Sequence, residues 1–204
     1  MWVATSGNNT FPLLSAALAS ISDATASKPY VIRIAPGVYT ETSPVALKNN
    51  VDVEGSGQGT TTITCACGGD SYNGSSAAVS AGAITAEIRH LTINNTGPSG
   101  SDSFGVYTTG VTNGSFSMDN VTATSTGGTF NYGVSNFSSS PSIRNSAIAG
   151  TTYSIYNVVT SPSAKVADTV LDGGVVGVGF TCVGVCTTAF TPPWCRLCVV
   201  DRAV

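Results

Sequence analysis

The chain has 204 residues and a formal net charge of −3, and only 9% of its residues are charged, against about a quarter in an average soluble domain. The few Lys and Arg residues form no basic stripe, which excludes a typical nucleic-acid-binding protein. A hydrophobic fraction of 42% excludes a disordered chain. A surface covered mainly by Ser, Thr, Asn and Gly is typical of extracellular β-structure, so we expect an extracellular or cell-surface location.

The sequence predicts neither a membrane-spanning helix nor a signal peptide. Residues 173–195 carry no charge, but glycine and proline interrupt them, whereas a spanning helix needs about 20 predominantly apolar residues. No membrane span is therefore expected. The N-terminus has no basic region before an apolar stretch, so no signal peptide is predicted in this chain.

One helix is predicted, close to the N-terminus. Apolar residues recur there at helical spacing, namely Leu14, Ala17, Leu18 and Ile21. After Ser27 the apolar period changes to two, which predicts short strands at 31–34, 51–53 and 91–93. No second helix is predicted.

Two sets of similar segments alternate along the rest of the chain. The first set repeats at offsets of 30, 25 and 23 residues and begins at Ile88, Met118, Ile143 and Val166. The second set repeats at offsets of 28 and 21 residues and begins at Phe104, Tyr132 and Tyr153. Interleaved strands of this kind predict a solenoid, in which each coil buries its apolar side on its neighbours.

Stacking of the coils places equivalent residues in columns about 4.8 Å apart. We expect inward-facing aliphatic residues at Ile32, Val51, Leu91 and Val121, with their partners Ile34, Val53, Ile93 and Ala123. A further aliphatic column is predicted at Val106, Val134 and Ile155, and an aromatic column at Phe104, Tyr132 and Tyr153. A turn column is predicted at Asn50, His90, Asn120, Asn145 and Asp168, because Asn and Asp tolerate left-handed backbone. His90 is interpreted as a turn residue in an Asn position and not as a catalytic base.

Three segments in the first hundred residues resemble pectin methylesterases. They are 30–41 (YVIRIAPGVYTE), 51–57 (VDVEGSG) followed by 61–64 (TTIT), and 88–98 (IRHLTINNTGP). The resemblance implies the fold of the pectin-lyase-like superfamily: all-β, a right-handed parallel β-helix (solenoid) of about six coils with a short N-terminal capping helix. We divide the chain into an N-terminal cap with the helix (1–24), β-helix coils (25–181) and an irregular, cysteine-rich C-terminal cap or tail (182–204).

The resemblance does not extend to the catalytic residues of that family, which are two glutamines for the oxyanion, two aspartates and an arginine. The first glutamine would fall near Phe104 and the Gln-Asp pair near 128–132, and this chain has neither residue type there. Oxyanion stabilisation is usually the largest catalytic contribution. No catalytic residue and no cofactor are therefore predicted, and Asp52 with Glu54 is too small an acidic cluster for the calcium that lyases of the superfamily bind.

Charged residues recur at one outward position on successive coils. Arg89, Asp119 and Arg144 form one column, and Arg33 and Asp52 form a similar one on the first two coils. These residues are candidates for a groove that binds an acidic glycan. The interpretation we favour is a salt-bridge ladder that supports only the register of the strands.

Tyr107 and Tyr156 are predicted on the face opposite to the aromatic column. Exposed aromatic rings stack on sugars, and exposed apolar side chains outside a core usually have a binding role. We therefore treat these two tyrosines as candidate glycan-binding residues, with an internal aromatic ladder as the alternative.

The chain has six cysteines. Cys65 and Cys67 are placed in a predicted loop at 65–75. Four others fall within 17 residues near the end of the chain, at Cys182, Cys186, Cys195 and Cys198. We expect these four to pair as disulfides in an extracellular protein, although their spacing also fits a tetrahedral zinc site and the pairing is open.

These observations predict a non-catalytic extracellular or cell-surface β-helix with a glycan-binding or structural role. Its expected partner is a polysaccharide or a cell-surface glycan. One alternative is a carbohydrate-active enzyme, a polysaccharide lyase or hydrolase that acts on acidic glycans. The other is a solenoid that associates end to end into filaments, because the last coil of a solenoid exposes strand edges unless it is capped.

Overall fold

The computed structural model describes residues 1–5, 10–69, 73–158, 164–176 and 180–187, with side chains up to 185. The predicted helix is confirmed as α1 (Leu14–Ser20). A single 3-10 turn (Gly74–Ser76) is the other helical segment in the described residues. No helix in these ranges has the length and hydrophobicity needed to cross a membrane.

Nineteen strands make up most of the described chain. The first seven are β1 (Trp2–Val3), β2 (Tyr30–Ile34), β3 (Gly37–Glu41), β4 (Val45–Ala46), β5 (Val51–Glu54), β6 (Thr61–Cys65) and β7 (Ala77–Ala81). The next seven are β8 (Ala86–Thr96), β9 (Asp102–Thr109), β10 (Phe116–Thr126), β11 (Phe130–Phe137), β12 (Ser142–Arg144), β13 (Ala147–Gly150) and β14 (Tyr153–Asn157). The last five are β15 (Lys165–Ala167), β16 (Val170–Asp172), β17 (Val175–Val176), β18 (Thr181–Val183) and β19 (Cys186–Thr187).

The strands form a right-handed parallel β-helix, as predicted. A large sheet of 13 strands contains the path β1-β2-β5-β8-β10-β12-β15-β18, with β3, β6, β13, β16 and β19 attached as a second arm. A smaller sheet has the order β17-β14-β11-β9-β7-β4. Neighbouring strands are parallel throughout, and six coils follow one another from β2–β4 to β15–β17.

The interior is aliphatic, and the repeat alignment of the later coils is confirmed. Ile88 lies opposite Met118, which lies opposite Ile143, and all three side chains are fully buried. The predicted alignment of the first coils is wrong: Ile32 lies opposite Val53, whereas Val51 lies opposite Tyr30. The turns between the early strands differ in length, so residue identity alone did not set their register.

The predicted turn column is confirmed for four of its five members. His90, Asn120, Asn145 and Asp168 follow residues that are paired in register on successive strands. Asn50 does not belong to the column: Glu54 pairs with Arg89, so Gly55 holds the position equivalent to His90, and Asn50 lies beside Thr85. All five predicted residues have positive φ angles: Asn50 (59°), His90 (57°), Asn120 (55°), Asn145 (49°) and Asp168 (47°). In β8 and β10 the turn residue lies inside one continuous strand, where the coil bends from the first arm of the large sheet to the second.

A buried carboxylate anchors the capping helix α1 to the first coil. The helix buries Leu14, Ala17 and Leu18 against the open end of the core. At its first turn, the backbone N–H and the hydroxyl of Ser15 donate to Glu41 at 3.1 and 2.6 Å. Glu41 thereby satisfies a backbone donor that a helix N-terminus leaves unpaired, and its negative charge suits that end of the helix dipole.

Coil pairing continues at the C-terminal end of the described chain. Strand β18 pairs with β15, and β19 pairs with β16. Pairing therefore extends through Thr187, while residues 188–204 lie outside the described part. The proposed division of the chain at 24/25 and 181/182 stays a prediction.

Candidate functional site

A cluster of aromatic side chains covers the outer face of the six-stranded sheet. The ring of Tyr132 stacks on Phe104 and Tyr156, with centroids 5.4 and 4.7 Å apart. The cluster is separate from the main core, which contains the neighbouring aliphatic column. We call this set the aromatic face, and its members are Phe104, Tyr107, Phe130, Tyr132, Tyr153 and Tyr156.

The prediction that Tyr107 faces away from Phe104 is wrong. Their rings stack at 6.2 Å in one cluster. Between them Val106 points into the core, so strict alternation along the strand is interrupted next to Gly105. Two consecutive residues face inward there, which brings Phe104 and Tyr107 to the same side.

Glycine is required at this irregular position in both central coils. A Cβ on Gly105 would lie 2.6 Å from the carbonyl oxygen of Gly133. A Cβ on Gly133 would lie 2.6 Å from the Ile148 side chain. A Cβ atom essentially never lies this close to a non-bonded atom, so the two glycines permit the backbone arrangement that collects the rings on one face.

Accessibility differs across the aromatic face. Phe104, Tyr107 and Tyr132 are buried, whereas Tyr153 and Tyr156 are half-buried and Phe130 is 45% exposed. Burial of the phenol raises the pKa of Tyr107, so its hydroxyl stays protonated at neutral pH. The buried rings form a rigid base, and Phe130, Tyr153 and Tyr156 form the surface that a ligand can reach.

A disulfide lies at the edge of this face, at a position that the sequence analysis assigned to a loop. Cys65 is the last residue of β6, and it bonds to Cys67, with the two Cα atoms 5.2 Å apart. The buried side chain of Asn95 accepts from the Cys67 N–H and donates to the carbonyl oxygens of Cys67 and Phe104. The disulfide and Asn95 together fix the start of the segment that follows β6 beside the aromatic face.

The aromatic face carries very little charge. Across the six strands of its sheet, Asp102 is the one charged residue. Ser135 lies in register between Tyr107 and Tyr156, and its buried hydroxyl has no hydrogen-bond partner among the described residues. His90, the single histidine of the chain, lies on the other sheet, so no imidazole is available to activate this hydroxyl.

The charged candidates lie on the large sheet and form one alternating column. Trp2, Arg33, Glu54, Arg89, Asp119 and Arg144 are paired in register on successive strands. The predicted pairing of Arg33 with Asp52 is wrong, because Asp52 lies opposite Val31 in the neighbouring column. The sequence did not predict Glu54 as the partner of Arg33, because the turns between the early strands differ in length and the first coils were misaligned.

Ion pairs connect most of this column. Arg89 contacts Glu87 and lies 3.3 Å from Glu54. Arg33 lies 3.7 Å from Glu54, and Arg144 lies 4.0 Å from Glu87. Burial lowers the pKa of the Arg89 guanidinium, but the hydrogen bond and charges of Glu87 and Glu54 outweigh burial and raise it.

The remaining charged candidate, Asp119, accepts a hydrogen bond of 2.8 Å from the side-chain amide of Asn145. The charges of the column are therefore largely satisfied by one another. The role of these residues in ligand binding stays a prediction.

The C-terminal cysteines are only partly within the described chain. Cys182 is buried in β18. The side chain of Cys186, together with Cys195 and Cys198, lies outside the described residues. The pairing of these four cysteines, and the zinc alternative, stay predictions.

The profile of the pectinesterases matches residues 1–121, which is more than half of the chain. The chain belongs to the pectinesterase family. No sequence among the curated proteins matches it significantly. The family assignment agrees with the resemblance of the three N-terminal segments.

Solved structures with the same fold include two pectinesterases. Pectin methylesterase PemA from Erwinia chrysanthemi is 15% identical with a TM-score of 0.62, over 93% of this chain and 66% of that one. Pectin methylesterase from carrot is 18% identical with a TM-score of 0.60, over 92% and 63%. ORF18 of Geobacillus virus E2 is 12% identical with a TM-score of 0.53, over 84% and 35%. This chain thus spans about two thirds of the length of these two esterases.

Proposed function

We propose that this member of the pectinesterase family is a non-catalytic, extracellular protein that binds a polysaccharide of low charge on its aromatic face. The observation that carries the proposal is the stack of Phe104 and Tyr132 at 5.4 Å. The resemblance to pectin methylesterases puts their catalytic glutamines and an aspartate near these two residues. Aromatic rings therefore occupy the region where esterase chemistry needs oxyanion donors and acids.

The absence of these groups argues against ester hydrolysis. Removal of one oxyanion donor typically lowers kcat by a factor of about 100 to 1,000. The chain contains a single glutamine, Gln58, and its backbone carbonyl lies beside Thr92 of the large sheet. The described strands of the sheet that carries the aromatic face contain no glutamine and only one carboxylate, Asp102.

The accessible rings support saccharide binding. Phe130, Tyr153 and Tyr156 stand around the buried Tyr132 ring within stacking distance of it. Because the buried rings hold them in place, they lose little conformational freedom when a ligand binds. A preformed aromatic surface of this kind suits the apolar face of a sugar ring.

The lack of charge favours a neutral or methyl-esterified chain over a free polyuronate. Asp102 is the one charged residue in the six strands of this sheet, and its carboxylate would repel a uronate. A methyl ester removes that charge and adds an apolar group that can contact the rings. We therefore favour highly esterified pectin as the test ligand.

Calorimetric titration with pectins of high and low methyl esterification tests the proposal. We expect binding of the highly esterified polymer, and Tyr156→Ala to weaken it about tenfold, since an aromatic contact contributes about 0.5–1.5 kcal/mol beyond area burial. Phe137→Ala is the control, because Phe137 is an exposed aromatic residue of the same strand as Phe130 but makes no ring contact with the aromatic face.

The same samples test for catalysis. We expect no methanol release from esterified pectin above the buffer control. Methanol release by the wild type that Tyr156→Ala abolishes would overturn the proposal. An affinity for highly esterified pectin that Tyr156→Ala leaves unchanged would also overturn it.

A further inference from the structure

A concave site lies on the large sheet, away from the aromatic face. It is a groove of about 490 Å³ between β1, β2, β5 and the turn column, within the range of small-molecule sites. We call it the N-terminal groove, and the residues used below are Trp2, Arg33, Glu54, Ser56, His90 and Asn120. We propose that the N-terminal groove binds a sugar ring that carries a carboxylate. This inference goes beyond the proposed function and does not depend on it.

Trp2 supplies an aromatic wall. It lies opposite Arg33 in the register, so its side chain stands at the end of the charged column. The indole is 52% exposed. A large apolar side chain left in water beside a groove marks a contact surface, and an indole face is suited to the C–H groups of a pyranose ring.

Arg33 supplies cationic donors that the protein does not use. Its side chain is 58% exposed, and its contact with Glu54 is 3.7 Å from Nε, which is longer than a hydrogen bond. Glu54 lies nearer to Arg89, at 3.3 Å. The Arg33 guanidinium makes no hydrogen bond to any described residue, so its planar fork is available for a carboxylate.

His90 supplies a further donor, and its tautomer follows from its partner. Its Nδ1 lies 2.9 Å from the amide nitrogen of Asn120. An amide nitrogen can only donate, so Nδ1 accepts and the neutral ring carries its proton on Nε2. No described residue accepts from Nε2, which leaves that proton for a ligand in the groove.

The floor of the groove is rigid backbone. Gly55 and Gly57 donate to the carbonyl oxygens of Arg89 and His90 at 2.9 and 2.7 Å. A Cβ on Gly55 would lie 2.3 Å from the His90 carbonyl oxygen, so the two strands meet more closely here than any other residue permits. The backbone that carries Glu54, Ser56 and His90 is therefore fixed before a ligand arrives, which lowers the entropy cost of binding.

The mixture of charges selects the ligand class. Glu54 lines the groove beside Arg33, so a dianion such as phosphate would be repelled, whereas a single carboxylate can pair with Arg33. The hydroxyls of a sugar can donate to Glu54 and to Ser56 Oγ, which already donates its own proton to Ile34 O at 2.8 Å. A carboxylated sugar satisfies all of these groups at once.

Calorimetric titration of the whole chain with trigalacturonate tests this proposal. We expect Arg33→Ala to weaken binding at least tenfold, since a charge-assisted hydrogen bond is strong. His90→Asn should weaken binding by a smaller factor, and it preserves the fold because Asn occupies the equivalent turn positions. Lys165→Ala is the control, since it removes one positive charge from an exposed position of β15 outside the groove.

Other outcomes separate the two sites. Tyr156→Ala should leave trigalacturonate affinity unchanged, and the trimethyl ester should lose affinity for the N-terminal groove.

The two tryptophans of the chain allow the site to be located: trigalacturonate should shift the indole N–H resonance that Trp2→Phe removes. No binding of trigalacturonate, or equal affinities for wild type, Arg33→Ala and His90→Asn, would overturn the proposal. Inorganic phosphate that competes at equal concentration would also overturn it.

Discussion

At the scale of single residues, unusual backbone positions decide where side chains point. The four positions of the turn column, and Asn50, have φ between 47° and 59°, a region that costs most L-residues about 1–2 kcal/mol. Asn and Asp reduce this cost through local hydrogen bonds. Gly105 and Gly133 are required for a different reason, which is that their neighbours leave no room for a Cβ. The bend of each coil and the direction of the aromatic rings therefore depend on a handful of residues.

Substitution of Asn145 tests the cost of the turn conformation. Asn145→Ala places an L-residue with no compensating side chain at φ 49° and removes the 2.8 Å hydrogen bond to Asp119. We expect the free energy of unfolding to fall by about 1–2 kcal/mol. Chemical denaturation measures it.

Asn145→Gly is the matched control. Glycine adopts the left-handed region at no steric cost, so this variant loses only an exposed hydrogen bond. We expect a smaller loss of stability than with alanine. Equal losses in the two variants would show that the hydrogen bond and not the backbone angle matters.

At the scale of strands, the charged column is a ladder of alternating signs. Arg33, Glu54, Arg89, Asp119 and Arg144 follow one another across five strands. Opposite charges on neighbouring strands favour this register, and a slip by one strand position would separate them. The middle of the column is paired, whereas its N-terminal end at Arg33 keeps unused donors. The same column thus serves register along most of its length and, in our proposal, ligand binding at one end.

The position of an arginine in the ladder should decide its contribution to stability. Arg144 is half-exposed and 4.0 Å from Glu87, so Arg144→Ala should cost less than about 1 kcal/mol. Arg89 is 24% exposed and contacts two carboxylates. Arg89→Ala should cost about 1–3 kcal/mol, because Glu54 and Glu87 then keep only the more distant Arg33 and Arg144.

Urea denaturation at low and high salt measures these effects. The difference between Arg89→Ala and wild type should shrink in about 1 M NaCl, where the Debye length is about 3 Å. A larger loss for Arg144→Ala than for Arg89→Ala would contradict this description of the ladder.

At the scale of the whole molecule, the coils differ greatly in the length of their strands. Strands β8 and β10 each have 11 residues, and β9 and β11 each have eight. Strands β15 and β16 have three residues and β17 has two. In a solenoid each coil is stabilised mainly by its neighbours. Among the described residues, the central coils have the longest runs of strand pairing, and they carry four of the six rings of the aromatic face.

Native-state hydrogen exchange should reveal this gradient. We expect the slowest exchange in β8–β11, where each strand has a paired neighbour on both sides over much of its length, and much faster exchange in β15–β17. Mass spectrometry of peptic fragments measures it. Equal protection of β10 and β15 would mean that the coils unfold as one unit.

The order of the repeats could be predicted from the sequence, because the alternation of apolar and polar residues within a strand is a local property. Strands at Ile88, Met118 and Ile143 show the same alternation of apolar and polar residues, so they align without any knowledge of the structure. The left-handed turn positions were also readable, since Asn and Asp recur at the same place between strands. The N-terminal helix followed from its apolar period. These features, together with the three N-terminal segments, were sufficient to determine the fold class.

Register in the first coils and the composition of both candidate sites depended on the tertiary structure. Ile32 and Val53 are 21 positions apart and Val53 and Ile88 are 35 apart, so the turn lengths had to be known before Glu54 could be placed beside Arg33. Phe104 and Tyr107 share a face only because Gly105 breaks the alternation between them. Sequence determines the pattern within a strand through side-chain alternation. The partner across a coil is chosen by backbone pairing between segments far apart in the chain, and that pairing exists only in the folded molecule.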